Sequence, residues 1–120
     1  MNVLIERISD LNDLIMQGEN EEAFEKFYHE DVEIQYNDDK PIKGKEVVRK
    51  LRETELNDII ELKSAKPLKV TIGEQTTMVE WQLNDEHRLY GERKYTQVAV
   101  QNWKLGLIIK EKKYCGINTI

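Results

Sequence analysis

Hydrophobic residues in the first part of the chain recur every three or four positions, the period of a helix that buries one face. The stripe consists of Leu4, Ile8, Leu11 and Ile15. Gly18 follows it, and glycine is the residue that most often ends a helix. Asn20 is then a candidate N-cap for a second helix, whose apolar side runs from Ala23 to Tyr28. The pattern predicts two consecutive helices before any strand.

A period of two replaces the helical period after residue 31. Val32, Ile34 and Tyr36 alternate with polar residues, as in a strand that is buried on one face only. Residues 37–41 follow with the sequence Asn-Asp-Asp-Lys-Pro, which contains the residue types of a turn. We therefore expect a first strand that ends in an exposed loop.

The helical period returns after this loop. Gly44 opens a predicted long helix that continues to about Leu62, with Val48 and Leu51 on its inner stripe. Glu55 falls on the same stripe and is a polar interruption of an otherwise apolar face.

Four strand-like runs make up most of the remaining chain. They cover residues 68–72, 79–83, 98–103 and 107–114. Turns at residues 73–74 and 104–106 and a loop at 84–91 separate these four runs, so we expect antiparallel neighbours. The fold class is α+β: a curved antiparallel sheet, mixed at its edge, closed by the long helix and two N-terminal helices. Such a sheet curls into a cone around an internal cavity.

Composition narrows the classes of partner. We expect one compact domain across residues 1–120, with no linker or repeat. The net charge of -5 argues against a nucleic-acid partner, and no apolar run approaches the ~18 residues of a membrane span. Cys115 is the single cysteine, which suits a reducing, cytoplasmic location. Ligand spacing for a metal and glycine loops for phosphates are both missing, so no metal or cofactor is expected.

Several short segments, in this order, resemble the nuclear transport factor 2-like superfamily and its polyketide-cyclase-like (SnoaL-like) branch. The segments are residues 27–32, 41–45, 80–81, 98–103 and 106–111. The resemblance implies a cone-shaped fold, a pocket between the sheet and the long helix, and frequent homodimers. It implies little about chemistry, since such proteins include isomerases, cyclases, dehydratases, hydrolases and plain binding domains.

Steroid-type isomerisation is not expected of this chain. That chemistry uses a carboxylate base together with a tyrosine and a protonated acid that donate to an enolate oxygen. Alignment by hand places the base at Tyr36, the acid donor at Ala99 and the tyrosine donor at Leu11. None of the three required groups is present at these positions.

Two acids are the candidate acid–base groups. Glu80 lies beside Trp81 in a strand, where it either enters the cone or faces water and pairs with a lysine of a neighbouring strand. Glu111 shares a predicted strand face with Leu107 and Ile109, which suggests an inward acid, although a rim position paired with Lys94 or Arg93 is the alternative. A buried carboxylate is suited to general acid–base work.

The candidate ligand-binding residues combine these acids with amides and aromatic side chains. They are Tyr36, Glu80, Gln97, Gln101, Trp103, Glu111 and Tyr114. Amides orient ligands by hydrogen bonding in an apolar cavity, but cross-strand pairing on the outer face is equally compatible with their positions. His29, at a helix-to-strand corner, and His87, at a predicted hairpin tip, are weak candidates.

These observations lead to three hypotheses. The first is a homodimeric domain, paired through the sheet, that binds a small and partly apolar molecule. The second is an isomerase, cyclase or dehydratase that uses Glu80 or Glu111. The third is a protein-interaction module that uses the outer face of the sheet. Burial of the two acids and the presence of a cavity distinguish them.

Overall fold

The computed structural model describes residues 3–116, and these form three helices and six strands. The helices are α1 (Val3–Met16), α2 (Asn20–Phe27) and α3 (Lys45–Asn57). The strands are β1 (Tyr28–Tyr36), β2 (Ile42–Lys43), β3 (Ile59–Gly73), β4 (Thr76–His87), β5 (Gly91–Lys104) and β6 (Leu107–Cys115). The order of elements confirms the predicted α+β class.

The six strands form one open, mixed sheet in the order β2-β1-β6-β5-β4-β3. Neighbouring strands are antiparallel except β1 and β6, which are parallel. The parallel pair brings the N-terminal part of the chain against its last strand. Side chains from both therefore reach one face of the sheet.

The two N-terminal helices follow the predicted stripe. Leu4, Ile8 and Leu11 are buried, and Gly18 adopts a φ of +79° after α1, a left-handed conformation that glycine accepts without strain. The prediction for Asn20 was wrong: Glu19 is the N-cap of α2, without a side-chain capping bond, and Asn20 is the first helical residue.

The long helix is shorter than predicted. It ends at Asn57, and Asp58 forms the C-cap, with its N–H donating to the carbonyls of Glu55 and Leu56. Ile59 opens β3 opposite His87 of β4. Ile59 and Leu62 fit a helical stripe as well as a strand, and pairing with a strand far along the chain decides between them.

The predicted loop at 84–91 is mostly strand. β4 runs to His87 and β5 begins at Gly91, so only residues 88–90 form the turn. The polar residues Asn84, Asp85 and Glu86 obscured the strand, since they are uncommon in strands. The two-residue strand β2 also lay within a segment that was not predicted as strand.

The main core packs α1 and α2 against β1 and the inner face of the sheet. Its largest fully buried apolar side chains include Phe27, Leu11, Ile34 and Ile108. Arg7 of α1 donates two hydrogen bonds to the Gly106 carbonyl, at 3.0 and 2.7 Å, which ties α1 to the β5–β6 turn. Within residues 3–116, no helix has the length and apolar character needed to cross a membrane.

Candidate functional site

A cavity of about 450 Å³ lies between the inner face of the sheet and the helices. β1, β3, β4, β5 and β6 all contribute side chains to its wall, and α1 and α3 cover it from the other side. The sheet therefore curves around this space. A volume of this order suits a small organic molecule.

The middle of the cavity wall is apolar. Side chains from α1, α3 and three strands form this part: Ile15, Leu56, Ile59, Leu62, Ala65, Trp81, Leu83 and Ala99. Polar groups gather in two clusters, which we name by their acids as the Glu111 cluster and the Asp85 cluster. An apolar body with polar ends matches this distribution.

The Glu111 cluster begins as a row of directly paired residues on three strands. Thr77 of β4 pairs with Gln101 of β5, which pairs with Glu111 of β6. The Thr77 hydroxyl donates to Gln101 Oε1 at 2.6 Å, and Gln101 Nε2 donates to Glu111 Oε2 at 2.9 Å. Trp103 Nε1 donates to Thr77 Oγ1 at 2.8 Å and so orients the hydroxyl. This row holds the carboxylate of Glu111 in one orientation.

Glu111 receives a second donor from β1. The Tyr28 hydroxyl donates to Glu111 Oε1 at 2.7 Å, and the two residues are 4% and 2% exposed. Burial raises the pKa of Tyr28 well above its usual range, and the charge of Glu111 raises it further. Tyr28 thus keeps its proton and remains a donor at neutral pH. Lys113 Nζ lies 3.9 Å from the same Oε1 atom.

A second tyrosine–carboxylate pair lies nearby. The Tyr36 hydroxyl donates to Glu55 Oε2 of α3 at 3.0 Å, and burial followed by the charge of Glu55 raises the pKa of Tyr36. Lys113 Nζ lies 5.8 Å from the centre of the Tyr36 ring. Arg52, one helical turn before Glu55, lies with its guanidinium carbon 5.6 Å from the centre of the Tyr28 ring. The Glu111 cluster therefore has eight members: Tyr28, Tyr36, Arg52, Glu55, Thr77, Gln101, Glu111 and Lys113.

The Asp85 cluster occupies another part of the wall. Arg93 donates to both carboxylate oxygens of Asp85 at 2.8 Å, and the Tyr95 hydroxyl donates to Asp85 Oδ2 at 3.3 Å. The side chains of Asp85 and Arg93 are 1% and 9% exposed. His87 lines the cavity beside them, accepts the Leu89 N–H at Nδ1 and stacks on Tyr90 at 4.8 Å between ring centres.

Four of the predicted ligand-binding residues line the cavity: Tyr36, Gln97, Gln101 and Glu111. Glu111 is inward as expected, but its neighbours differ, because a bulge at the start of β6 buries Ile108 in place of Leu107 and Ile109. Its partners are Tyr28 and Gln101 rather than Lys94 or Arg93. Trp103 is buried behind the wall, packed edge-on against Phe27 at 6.5 Å.

The structure places Glu80 and Tyr114 on the opposite face of the sheet from the cavity. Glu80 pairs in register with Lys69 and Val98, between the inward residues Val79 and Trp81. Tyr114 is opposite Val98 and is 44% exposed, with Lys112 Nζ 4.8 Å from its ring centre. Alternation along β4, and along β6 after its bulge, turns both side chains outward. We therefore leave them out of the proposed site.

Several cavity residues were missed by the sequence analysis. They are Tyr28, Arg52, Asp85, Arg93, Tyr95 and Lys113, and His87, which was considered only a weak candidate, also lines the cavity. A signal existed for Asp85 and His87, because the alternation Val79, Trp81, Leu83 continues onto them once β4 is extended. Glu55, noted as an interruption of the α3 stripe, does line the cavity.

The three positions at which steroid-type isomerisation would need its reactive groups do not all lie on the cavity wall. Tyr36 and Ala99 line the cavity, whereas Leu11 is fully buried in the core and outside the wall. The Tyr36 hydroxyl is committed to Glu55, and Ala99 has no donor to offer. Near the β1 corner, His29 accepts the Asp31 N–H at 2.9 Å, and neither residue lines the cavity.

No family model and no curated protein match the chain. Solved structures do. A candidate SnoaL-like polyketide cyclase from Mesorhizobium loti superposes with a TM-score of 0.84 at 19% identity, over 94% of this chain and 99% of that one. An NTF2-like protein of unknown function from Burkholderia pseudomallei gives 0.81 at 11% identity, over 96% and 92%.

A candidate isomerase from Bacillus subtilis superposes with a TM-score of 0.78 at 16% identity, over 97% of this chain and 90% of that chain. At these identities the likeness concerns the fold. The chain therefore has the fold of SnoaL-like and NTF2-like proteins, as the resemblance of its motifs implied. Its chemistry must be argued from its own cavity.

Proposed function

We propose that the protein is a small-molecule-binding domain whose cavity holds a compact, partly apolar ligand. The observation that carries the proposal is the cavity itself, about 450 Å³ with an apolar middle and two polar clusters. Apolar walls with a few convergent polar groups are typical of small-molecule sites, because the walls bury the apolar surface of the ligand and the polar groups orient it.

The hydrogen bonds of Glu111 and Asp85 support binding over catalysis by these two acids. Both oxygens of Glu111 accept hydrogen bonds from the protein, and Lys113 lies near one of them. Both oxygens of Asp85 are held by Arg93. A general base needs an oxygen within reach of the proton that it removes, and these oxygens are already engaged.

An acid–base enzyme of the isomerase, cyclase or dehydratase kind is the second candidate. A specific observation favours it: Glu111 is 2% exposed and lies on the wall of the cavity. If a ligand displaced the Tyr28 hydroxyl, Glu111 Oε1 would become free to accept a proton. Turnover that disappears in Glu111→Gln while binding remains would establish this alternative.

The binding proposal is tested by filling the cavity from one face of β5. Ala99 lines the cavity, whereas its neighbour Val98 lies on the outer face. Ala99→Phe and Val98→Phe therefore add the same ring on opposite sides of one strand. The probe is N-phenyl-1-naphthylamine, a neutral dye whose fluorescence rises in apolar surroundings. Ala65→Phe on β3 provides a second cavity-filling variant if Ala99→Phe does not fold.

We expect the unaltered protein and Val98→Phe to bind the dye equally, and the cavity-filling variants to bind it at least about tenfold more weakly, as lost burial predicts. Native mass spectrometry of freshly purified protein supplements this test by revealing any co-purified molecule. Equal dye binding by all variants, or no binding and no co-purified molecule, would refute the proposal.

We also propose a homodimer formed through the outer face of the sheet. Met78 pairs in register with Val100, and Val98 pairs with Tyr114, so four side chains form an apolar patch across β4, β5 and β6. Met78 and Tyr114 are each 44% exposed. Exposed apolar surface on a sheet is commonly covered by a second copy. Native mass spectrometry reports the number of subunits in the same experiment.

A further inference from the structure

The carboxylates and the cations of the Glu111 cluster differ in their hydrogen bonds. Glu111 accepts from Tyr28 and Gln101, one at each oxygen, and Glu55 accepts from Tyr36 at Oε2. The two cations of the cluster, Arg52 and Lys113, form no hydrogen bond with these two carboxylates. Their N–H groups therefore determine what the wall can still bind.

Arg52 has five N–H donors, and among residues 3–116 it has neither a hydrogen-bond acceptor nor an ion-pair partner. Its contacts are the faces of two aromatic rings: the guanidinium carbon lies 4.8 Å from the centre of Phe24 and 5.6 Å from that of Tyr28. These rings hold the guanidinium at the cavity wall, and they leave its N–H groups without acceptors.

The acid that could neutralise Arg52 from the α2 side is already bound. Glu25 receives two hydrogen bonds from Arg49, at 2.7 and 2.8 Å, and lies 3.8 Å from Lys45 Nζ. Arg49 and Arg52 are one turn apart on α3. Arg49 is paired with Glu25 and Glu46 and lies away from the main cavity, whereas Arg52 lines the cavity and has no hydrogen-bond acceptor or ion-pair partner within residues 3–116.

Lys113 adds a second donor to the same part of the wall. Its nearest carboxylate oxygen, Glu111 Oε1, is 3.9 Å away, which is beyond hydrogen-bond distance. The side chain is 18% exposed, so its ammonium is largely removed from water. Tyr28 and Glu111 link it spatially to Arg52, since Tyr28 contacts both Arg52 and Glu111.

We propose that the ligand of this cavity carries a carboxylate, which Arg52 binds with its planar pair of N–H groups and Lys113 neutralises from β6. The guanidinium fork matches a carboxylate in shape, and the apolar middle of the cavity receives the rest of the molecule. The inference rests on the proposed binding function and specifies the class of ligand: a small organic acid with an apolar body.

The test compares carboxylates with their carboxamides, which have nearly the same shape without the charge. Three pairs of increasing size serve as probes: phenylacetate, 1-naphthaleneacetate and octanoate, each with its amide. Affinities are measured by calorimetry for the unaltered protein and for Arg52→Gln, Arg52→Lys and Arg49→Gln. Circular dichroism confirms that each variant is folded.

We expect at least one carboxylate to bind about tenfold or more tightly than its amide, as a charge-assisted bidentate contact predicts. Arg52→Gln should remove this preference without weakening amide binding, Arg52→Lys should restore part of it, and Arg49→Gln should retain it.

The inference is overturned if no carboxylate binds more tightly than its amide, or if Arg52→Gln and Arg49→Gln behave alike. If no carboxylate binds more tightly than its amide but the amides still bind, the proposed binding function stands. Only the proposal that the ligand carries a carboxylate is then rejected. Failure of the amides and of N-phenyl-1-naphthylamine together would reject both proposals.

Discussion

The Tyr28 hydroxyl and the Glu111 carboxylate, 83 positions apart in the chain, form a buried hydrogen bond of 2.7 Å. It connects the first strand to the last, across the one parallel junction of the sheet. Both side chains line the cavity. Its contribution to stability can be measured directly.

Tyr28→Phe removes this donor and keeps the ring. We expect the free energy of unfolding to fall by about 1.5–3 kcal/mol, because the buried carboxylate loses one of its two donors. Urea denaturation monitored by circular dichroism measures the change. Tyr90→Phe is the matched control, since the Tyr90 side chain is 54% exposed, and it should change stability by less than about 0.5 kcal/mol. Equal stability of the two variants would contradict the prediction.

Alkaline pH should destabilise the fold through the cavity tyrosines. Burial raises the pKa of Tyr28, Tyr36 and Tyr95 above the ordinary value of 10.0. Above pH 10 the unfolded chain releases protons that the folded chain retains. The contribution of these three tyrosines to the free energy of unfolding is therefore complete below pH 10 and is lost as the pH rises further.

The expected slope is about 1.4 kcal/mol per pH unit for each such tyrosine. The slope in question is that of the free energy of unfolding against pH between pH 10 and 11.5. Tyr36→Phe should reduce it by about 1.4 kcal/mol per pH unit, and Tyr90→Phe should leave it unchanged. Urea denaturation at several pH values gives the slope, and absorbance at 295 nm shows whether ionisation accompanies unfolding. Parallel curves for the unaltered protein and Tyr36→Phe would show that Tyr36 titrates normally.

The turn between β5 and β6 contains a removable strain. Leu105 has a φ of +55° and is 88% exposed, so it adopts a left-handed conformation without compensating burial. Leu105→Asn should raise the free energy of unfolding by about 0.5–1 kcal/mol, because asparagine tolerates this conformation. Leu89→Asn controls for loss of an exposed leucine, at 71% exposure, and should have little effect. If both variants were more stable, the gain would come from replacing an exposed leucine by a polar residue and not from the backbone conformation at residue 105.

The ion pair between Asp85 and Arg93 should contribute far more than the surface pairs. Its members are nearly inaccessible, whereas Lys63 and Glu92, joined at 2.7 Å, are 35% and 50% exposed. Asp85→Ala should cost about 3–5 kcal/mol, because it breaks a buried bidentate ion pair by removing one of its two partners. Glu92→Ala should cost far less, because solvent screens the charges of an exposed pair. Thermal and urea unfolding of the two variants give the comparison, and similar losses would refute it.

The proposed dimer predicts that charge on the outer face of the sheet separates the subunits. Met78→Lys combined with Val100→Lys places two like charges at directly paired positions, where they would repel both each other and the partner's copies. We expect sedimentation equilibrium to show a dimer for the unaltered protein and a monomer for the double variant at the same concentration. Leu89→Lys is the control. A monomeric unaltered protein would end the proposal.

Local pattern determined much of this protein. The helical stripe of α1 and the alternation along β1 and β4 follow from periods of 3.6 or 2 residues. Alternation also placed Gln97 and Gln101 on one strand face, but it left open whether that face is the inner one. These periods depend only on neighbours in the chain. The resemblance of short motifs then indicated the fold that the solved structures confirm.

Tertiary structure decided where elements end and which polar groups meet. Pairing with β4 ends α3 at Asn57 and begins β3 at Ile59, although a helical stripe could continue. Strand register brings Thr77, Gln101 and Glu111 into one row, and the parallel β1–β6 pair adds Tyr28. Register and long-range contacts depend on residues far apart in sequence, so no local period encodes them.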